Sequence, residues 1–385
     1  MRINIVHMGF FYSGGGEKVA IRQALGLRRR GHLVNVFSPI IYPDRSFPRL
    51  LKEVAPQRLV PHFPFPFPFR EGSAMLASAI LPLGLRKSAD CDVLICHSQP
   101  SMWLGLRTNS LFDVPYVGYL HQLTTFIHQR PKIGENWNTP DFQLLSGLVG
   151  NLGRPVARAL DQMCHRRARK LLYNSDWTRG LFSQEYRVGG STCYPGVDPP
   201  IVRGAIRHNQ VVMAARHYPW KRIDLAFEVI RRLKGNIPKL MITGKETSTT
   251  PTLRKRASDL GVSNLVDFTG YLDDETLSRC FAESKAYIQT SIAEPFGLGP
   301  LEAQAHGVPA VVWGDSGVKE TVLDGETGFH AKPYDLDDFA SKLQTILTDQ
   351  ELWRKMSARA VEWASSFTWD RHLDIVEAAV IDAQK

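Results

Sequence analysis

Short apolar runs recur along the chain and alternate with longer amphipathic stretches, the pattern of strands buried on both faces with helices packed over them. Residues 2–8 (RINIVHM) read as a first strand, residues 9–16 (GFFYSGGG) as a loop, residues 17–30 as an amphipathic helix ended by Gly31, and residues 32–37 (HLVNVF) as a second strand. This βαβ opening predicts a parallel sheet with helices on both faces. Further strands are expected at 91–96 (CDVLIC), 114–120 (VPYVGYL), 170–173 (KLLY), 210–215 (QVVMAA), 239–243 (KLMIT), 265–268 (LVDF), 286–290 (AYIQT) and 309–313 (PAVVW). An arginine-rich helix is expected over residues 156–170 and another from Asp176. The spacing is that of doubly wound α/β folds. Turn formers crowd residues 194–200 (YPGVDPP) and mark a domain boundary there.

Two segments break the alternation. Residues 61–69 (PHFPFPFPF) carry proline at alternate positions, which rules out a helix or a sheet interior and leaves a stiff extended segment with phenylalanines between the prolines. It is either an apolar patch for lipid or a partner protein, or a packed loop; with the apolar stretch that follows and Arg86-Lys87 at its end, residues 61–87 are a membrane-surface candidate. Residues 130–150 are rich in polar and turn-forming types and read as a surface excursion.

Composition narrows the class. At 385 residues, 43% apolar and 22% charged, the chain has an ordinary globular make-up with room for two domains. No apolar run approaches the ~20 residues that span a bilayer, and the N-terminus reads as a strand, not a signal peptide. Five scattered cysteines without a paired CxxC favour neither zinc nor a disulfide framework, so a cytoplasmic location is expected, with peripheral association at the membrane face as an option. The net charge of +9 is lopsided: residues 1–200 carry 24 basic and 13 acidic side chains, residues 201–385 carry 23 and 25. The basic half suits an acidic membrane surface or a phosphorylated acceptor; with no basic-aromatic repeat, a nucleic-acid partner is not expected. Arg28, Arg29, Arg30, Arg166, Arg167 and Arg169 are the candidate contacts to acidic lipid.

Chemistry concentrates in residues 291–309, SIAEPFGLGPLEAQAHGVP. A proline and two glycines make residues 295–299 a loop, Pro300 suits a first helical position, and the segment before it is a strand. Strand, glycine-bearing loop and helix N-terminus together suit an anion, while Glu294 and Glu302 suit hydroxyls, since a carboxylate only accepts hydrogen bonds. A ligand with phosphates and a polyol, such as a nucleotide-sugar, satisfies both; a solvated loop with idle glutamates is the plain alternative. After the strand at 210–215, Arg216 and Lys221 are placed to neutralise a diphosphate. The loop with Gly14, Gly15 and Gly16 lacks the GxGxxG spacing, so bound NAD is not expected, although three glycines still let main chain approach a phosphate or sugar. His97 and His121 end strands, where ligands bind in open α/β sheets.

Taken together these residues resemble the GT-B glycosyltransferases of the large retaining family 4, a mannosyltransferase-like group of enzymes that use nucleotide-diphosphate sugars. The carriers are GGGE (14–17), His121, NSDWT (174–178), PGVD (195–198), ARHYPWK (215–221), EPFGLGPLEAQAHGVPAV (294–311), DGETGF (324–329) and SFTWDR (366–371). The chain departs from the family's usual PNGVD by reading YPGVD. The resemblance implies two facing Rossmann-like domains with a donor cleft between them. The first, for the acceptor, would comprise residues 1–193 completed by a C-terminal helix at 369–385, and the second, for the donor, residues 194–368. It implies catalytic roles for Arg216, Lys221, Glu294 and His121, and donor contacts from Gly14, Gly15, Gly16, Phe296, Gly297, Leu298 and Glu302. The expected reaction is metal-independent, cofactor-free transfer of a hexosyl unit, with retention, from GDP-mannose or a UDP-sugar. The acceptor would be a glycan or lipid-linked saccharide hydroxyl. A nucleotide-sugar epimerase, or a transferase with a soluble acceptor, is the alternative.

Overall fold

The computed structural model describes residues 1–60, 85–124, 128 and 150–385. The proline-phenylalanine segment at 61–69 and residues 130–149 of the surface excursion therefore lie outside the described residues. The described residues divide into two compact units, one of residues 1–60, 85–124, 128, 150–196 and 369–385, the other of residues 197–368.

In the first unit the elements run β1 (Arg2–His7), α1 (Gly15–Arg29), β2 (Leu33–Ser38), α2 (Pro48–Val54), β3 (Gln57–Arg58), α3 (Leu85–Ser88), β4 (Val93–His97), α4 (Ser101–Phe112), β5 (Tyr116–Leu120), α5 (Gly150–Arg167), β6 (Lys170–Tyr173), α6 (Asp176–Tyr186) and β7 (Ser191–Thr192). The second unit continues with β8 (Gln210–Ala214), α7 (Ile223–Arg232), β9 (Lys239–Thr243), α8 (Thr250–Asp259), β10 (Val266–Gly270), α9 (Asp274–Glu283), β11 (Ala286–Gln289), α10 (Leu298–Ala305), β12 (Ala310–Trp313), β13 (Gly328–Ala331), α11 (Leu336–Thr348) and α12 (Gln350–Ser365). The last helix, α13 (Trp369–Gln384), belongs to the first unit.

Among the described residues the first sheet has the order β3-β2-β1-β4-β5-β6-β7 and the second β10-β9-β8-β11-β12-β13, with parallel pairing throughout. Each order reverses once, between β1 and β4 and between β8 and β11. Open α/β sheets take ligands beyond the strand ends at such a reversal.

Strands such as β4 and β5 are buried at every position because helices cover both faces. On one face of the first sheet, Ile3, Ile5, Val93 and Val117 pack with Ile21 and Leu25 of α1 and with Leu373, Val376 and Val380 of α13. The two helices pack tightly, since a Cβ on Gly26 would overlap Leu373 Cδ1 and lie 2.8 Å from its Cδ2. Arg30 and His32 then reach Glu377, each at 2.7 Å, and Lys170 reaches Asp382 at 2.5 Å. Ser175 caps α6, its hydroxyl accepting from Thr178 N–H. Two of the six arginines considered for lipid are committed internally: Arg28 donates to the carbonyls of Val34, Glu53 and Val54, and Arg30 pairs with Asp374 and Glu377.

Candidate functional site

In the second unit the loops after β8 and β11 meet at the sheet reversal. The chain leaves β8 through Arg216 and a 3-10 turn at Pro219–Lys221, and it leaves β11 toward Glu294. Ile292 N–H donates to the Trp220 carbonyl (3.1 Å), the Thr290 hydroxyl donates to the Arg222 carbonyl (2.8 Å), and Lys221 Nζ donates to Glu294 Oε2 (2.6 Å). Gln289 donates its amide to the same carboxylate oxygen (3.0 Å) and accepts at its own carbonyl from the Tyr287 hydroxyl (2.7 Å). Glu294 is thus oriented by a cation from one loop and an amide from the strand beneath it. The lysine and glutamate side chains are only 16% and 14% exposed, so water screens the pair weakly.

The glycines of this loop are required by geometry. Gly297 has φ +99°, and a Cβ there would lie 2.6 Å from Val318 Cγ2; a Cβ on Gly299 would overlap the Tyr287 hydroxyl oxygen. Helix α10 opens at Leu298, two residues earlier than expected, which puts Pro300 third in the helix, still in the first turn where its missing N–H leaves no bond unmade. Glu302 follows on α10, half-buried. Burial drives the Tyr287 hydroxyl well above its ordinary pKa, and the charges of Glu294 and Glu302 add to the shift, so both carboxylates act on this one group. Phe296 is buried against Phe367. The Arg216 guanidinium lies 5.3 Å over the Tyr218 ring, which stacks on Trp220 at 4.5 Å. Lys221 and Glu294 are therefore in direct contact, while Arg216 is held by stacking on the same loop.

In the first unit the corresponding reversal is lined by histidines. His7 and His97 are register partners at the ends of β1 and β4, and His121 follows β5. Gly14 caps α1 with extended backbone, and a Cβ there would lie 2.5 Å from Glu17 Oε2. Gly15 is the first residue of α1, and Gly16 follows; a Cβ on Gly16 would sit 3.7 Å from both His121 and His7. Gly16 and His121 are thus brought together, and the helix begins where a flexible loop was expected to continue. Burial pulls the His7 imidazole down to about 4 and His121 to about 3, the latter with help from neighbouring His7 and His372.

His97 plays a different part. Fully buried, it bonds His121 Nε2 through Nδ1 (3.0 Å) and Gln23 Oε1 through Nε2 (2.9 Å); Gln23 Nε2 meets His372 Nε2 (3.0 Å), and His372 Nδ1 meets the Tyr194 carbonyl (2.8 Å). His7, Gln23, Tyr287, Gln289 and His372 had not been singled out from the sequence. Strand-end position marks His7 as it does His121, and a glutamine on the apolar face of α1 is a signal of the same kind for Gln23. Nothing local marks His372, whose partners are 178 and 349 residues away in sequence.

Residues 13–200 match the family model described as Glycosyltransferase Family 4, and residues 205–363 match Glycosyl transferases group 1. The chain is 26% identical to a D-inositol 3-phosphate glycosyltransferase of Geodermatophilus obscurus, over 95% of this chain and 84% of that one. It is 30% identical to mannosylfructose-phosphate synthase of Agrobacterium fabrum over 32% of this chain and 28% of that one. Among solved structures, Anabaena Alr3699/HepE in complex with UDP and glucose superposes with a TM-score of 0.77 at 19% identity, covering 98% of both chains. Sucrose-phosphate synthase from Thermosynechococcus elongatus does so at 0.78 and 16%, again over 98% of both. At these identities the two superpositions speak to the fold.

Proposed function

Because the chain belongs to glycosyltransferase family 4 and has the GT-B fold, it is an enzyme that transfers sugars, and we propose that it moves a hexosyl unit from a nucleotide-diphosphate sugar, with retention and without a metal ion. The observation that carries this reading is the Lys221–Glu294 pair at the sheet reversal, directly before a helix start. A nucleotide-sugar has a diphosphate for the cations and hydroxyls for the carboxylates. The UDP in the structural relative supports a uridine donor.

In this reading Arg216 and Lys221 neutralise the diphosphate as it departs. The bond from the anomeric carbon to the β-phosphate oxygen breaks with its electron pair on that oxygen, the acceptor oxygen bonds the anomeric carbon from the same face, and the acceptor proton passes to the leaving phosphate. Fixed donors at the developing charge are each worth roughly 10²–10³ in rate. Glu302 holds the ribose hydroxyls, and the N–H groups of Phe296, Gly297 and Leu298 contact the sugar. Glu294 lies beside the anomeric centre and stabilises its positive charge. Gly14, Gly15, Gly16 and His121 are the ligand contacts that this reading assigns to the first unit. Two fixed cations can do the work of a divalent ion, so chelation with EDTA is expected to leave the rate unchanged.

The acceptor is an anionic saccharide or polyol hydroxyl. The basic first half of the chain supports this, as do relatives named for inositol-phosphate and sugar-phosphate chemistry. A lipid-linked form of that acceptor would keep the enzyme at the membrane face. Thermal shifts with UDP, GDP, ADP and dTDP and their sugars test the donor, with Lys221→Ala and Glu302→Ala beside the wild type. A shift with one nucleotide class that both substitutions remove is expected. No shift with any of them in a folded protein would refute the reading.

A further inference from the structure

Three histidines and a glutamine form one hydrogen-bonded chain inside the first unit, and one end fixes its direction. The Tyr194 carbonyl only accepts, so His372 Nδ1, 2.8 Å away, carries a proton. Burial pulls His372 down to about 4, so at neutral pH its Nε2 keeps a lone pair and takes an N–H from Gln23 Nε2 at 3.0 Å. The amide then turns its Oε1 to His97 Nε2, 2.9 Å away, which must be protonated to bond it. His97 is also held neutral by burial, which leaves its Nδ1 as an acceptor, and His121 Nε2–H at 3.0 Å is the donor. The Cys193 thiol lies 3.4 Å from His372 Nδ1 and 3.6 Å from the His372 carbonyl; the carbonyl takes its S–H, and the Nδ1–H goes to Tyr194, the shorter and stronger acceptor. Every link follows from the one before.

We propose that Gln23 and His372 are positioning residues that, acting through His97, hold His121 as its Nε2–H tautomer, so that it meets a ligand hydroxyl only as an acceptor, through Nδ1. The proposal rests on the reading of His121 as a sugar contact. His121 Nδ1 takes no hydrogen bond from the described residues. His7 is the same tautomer: its Nδ1 accepts from Gly9 N–H at 3.3 Å, so its Nε2 carries the proton. Among the described residues the nitrogen left open is thus an acceptor on His121, Nδ1, and a donor on His7, Nε2, a pair that suits the two hydrogen-bonding roles of a hydroxyl. The geometry also links the C-terminal helix to this site: α13 contributes His372 to the chain that orders His121, besides its apolar packing.

The experiment uses the full chain labelled with ¹⁵N-histidine and reads ring-nitrogen protonation from two-bond ¹H–¹⁵N spectra, with His121→Asn for assignment. Wild type is expected to show His121 protonated at Nε2 and His372 at Nδ1. Gln23→Met removes both amide bonds and should leave His121 a mixture of tautomers, with kcat down about tenfold, the worth of one well-placed hydrogen bond. Gln23→Glu still accepts from His97 Nε2–H, so it should keep His121 ordered and hold kcat within about threefold of wild type. That rescue would not follow if Gln23 only filled space. His121 protonated at Nδ1 in wild type, or unchanged in Gln23→Met, overturns the relay. Tautomer loss with undiminished transfer overturns its role at the site. A wild type with ordered rings that neither binds a nucleotide nor transfers sugar overturns the ligand half through its premise, and the spectrum separates that failure from failure of the relay.

Discussion

Lys221→Met removes the cation 2.6 Å from Glu294, a carboxylate only 14% exposed that Gln289 also bonds. Deleting one member of a fully buried pair costs about 3–5 kcal/mol; the slight exposure of both side chains here places the loss near the lower bound, about 3 kcal/mol. Glu294→Gln leaves the ammonium in the same surroundings but keeps an amide that can still accept from Lys221 and Gln289, so its cost is about 2 kcal/mol. If the two side chains stabilise each other, the double variant loses about 3 kcal/mol instead of the roughly 5 of an additive sum, a coupling of about 2 kcal/mol. Scanning calorimetry of the ligand-free protein reads this as the transition of the second unit. For a domain of this size each kcal/mol shifts Tm by roughly 2–4 °C, so Lys221→Met should lower it by roughly 6–12 °C. Additive losses across the cycle, or a Lys221→Met variant as stable as wild type, would refute the claim that this pair is desolvated and coupled.

Three further outcomes follow from other parts of the fold. Gly299→Ala drives a methyl into the Tyr287 hydroxyl, displaces it from Gln289 and should cost about 1–3 kcal/mol with a loss of transfer; urea unfolding and a turnover assay check both. Gly26→Ala should lower the stability of the first unit by about 1–2 kcal/mol through its clash with Leu373, and the added Leu373→Ala should recover part of that loss, as read by the unfolding midpoint. Burial lowers His7, His165 and His372 to about 4 and His97 well below 6.5. Stability from these groups is therefore present above pH 6.5 and lost as pH falls toward 4, by about 1.4 kcal/mol per pH unit for each site, because the unfolded chain binds the protons first. Asp161 opposes them with one site: burial raises it to about 6, so the folded state takes up its proton first as pH falls. Urea midpoints at pH 7 and pH 5 should show a net loss for the first unit, and a flat profile would contradict it.

How much could be read in advance differs from element to element. Ten of the thirteen strands among the described residues were legible because each is a short apolar run between turn formers, and their boundaries moved by only a residue or two, as at β5, where Val114 and Pro115 precede the strand; β3, β7 and β13 were not expected, the first two being polar pairs with no apolar run to mark them. The start of α10 was placed too late because Pro300 was taken as a first residue, whereas Gly297 in the left-handed region is what ends the loop. Arg28 and Arg30 counted as free surface charge in the sequence, and only the fold revealed the carbonyls and carboxylates that hold them.

The sequence by itself determined the alternation of strand and helix, the two-unit class and the residue types at the strand ends, because periodicity and turn chemistry are local properties. Tertiary structure alone decided that Lys221 would hold Glu294 from across 73 positions, that Gln289 would lie beneath that carboxylate, and that His372 on the last helix would reach Gln23 on the first. The first and last of those contacts join side chains far apart in the chain, and strand order and helix packing, which no local pattern encodes, are what bring them within a hydrogen bond of one another; Gln289 is only five residues from Glu294, and the turn of the loop decides that contact.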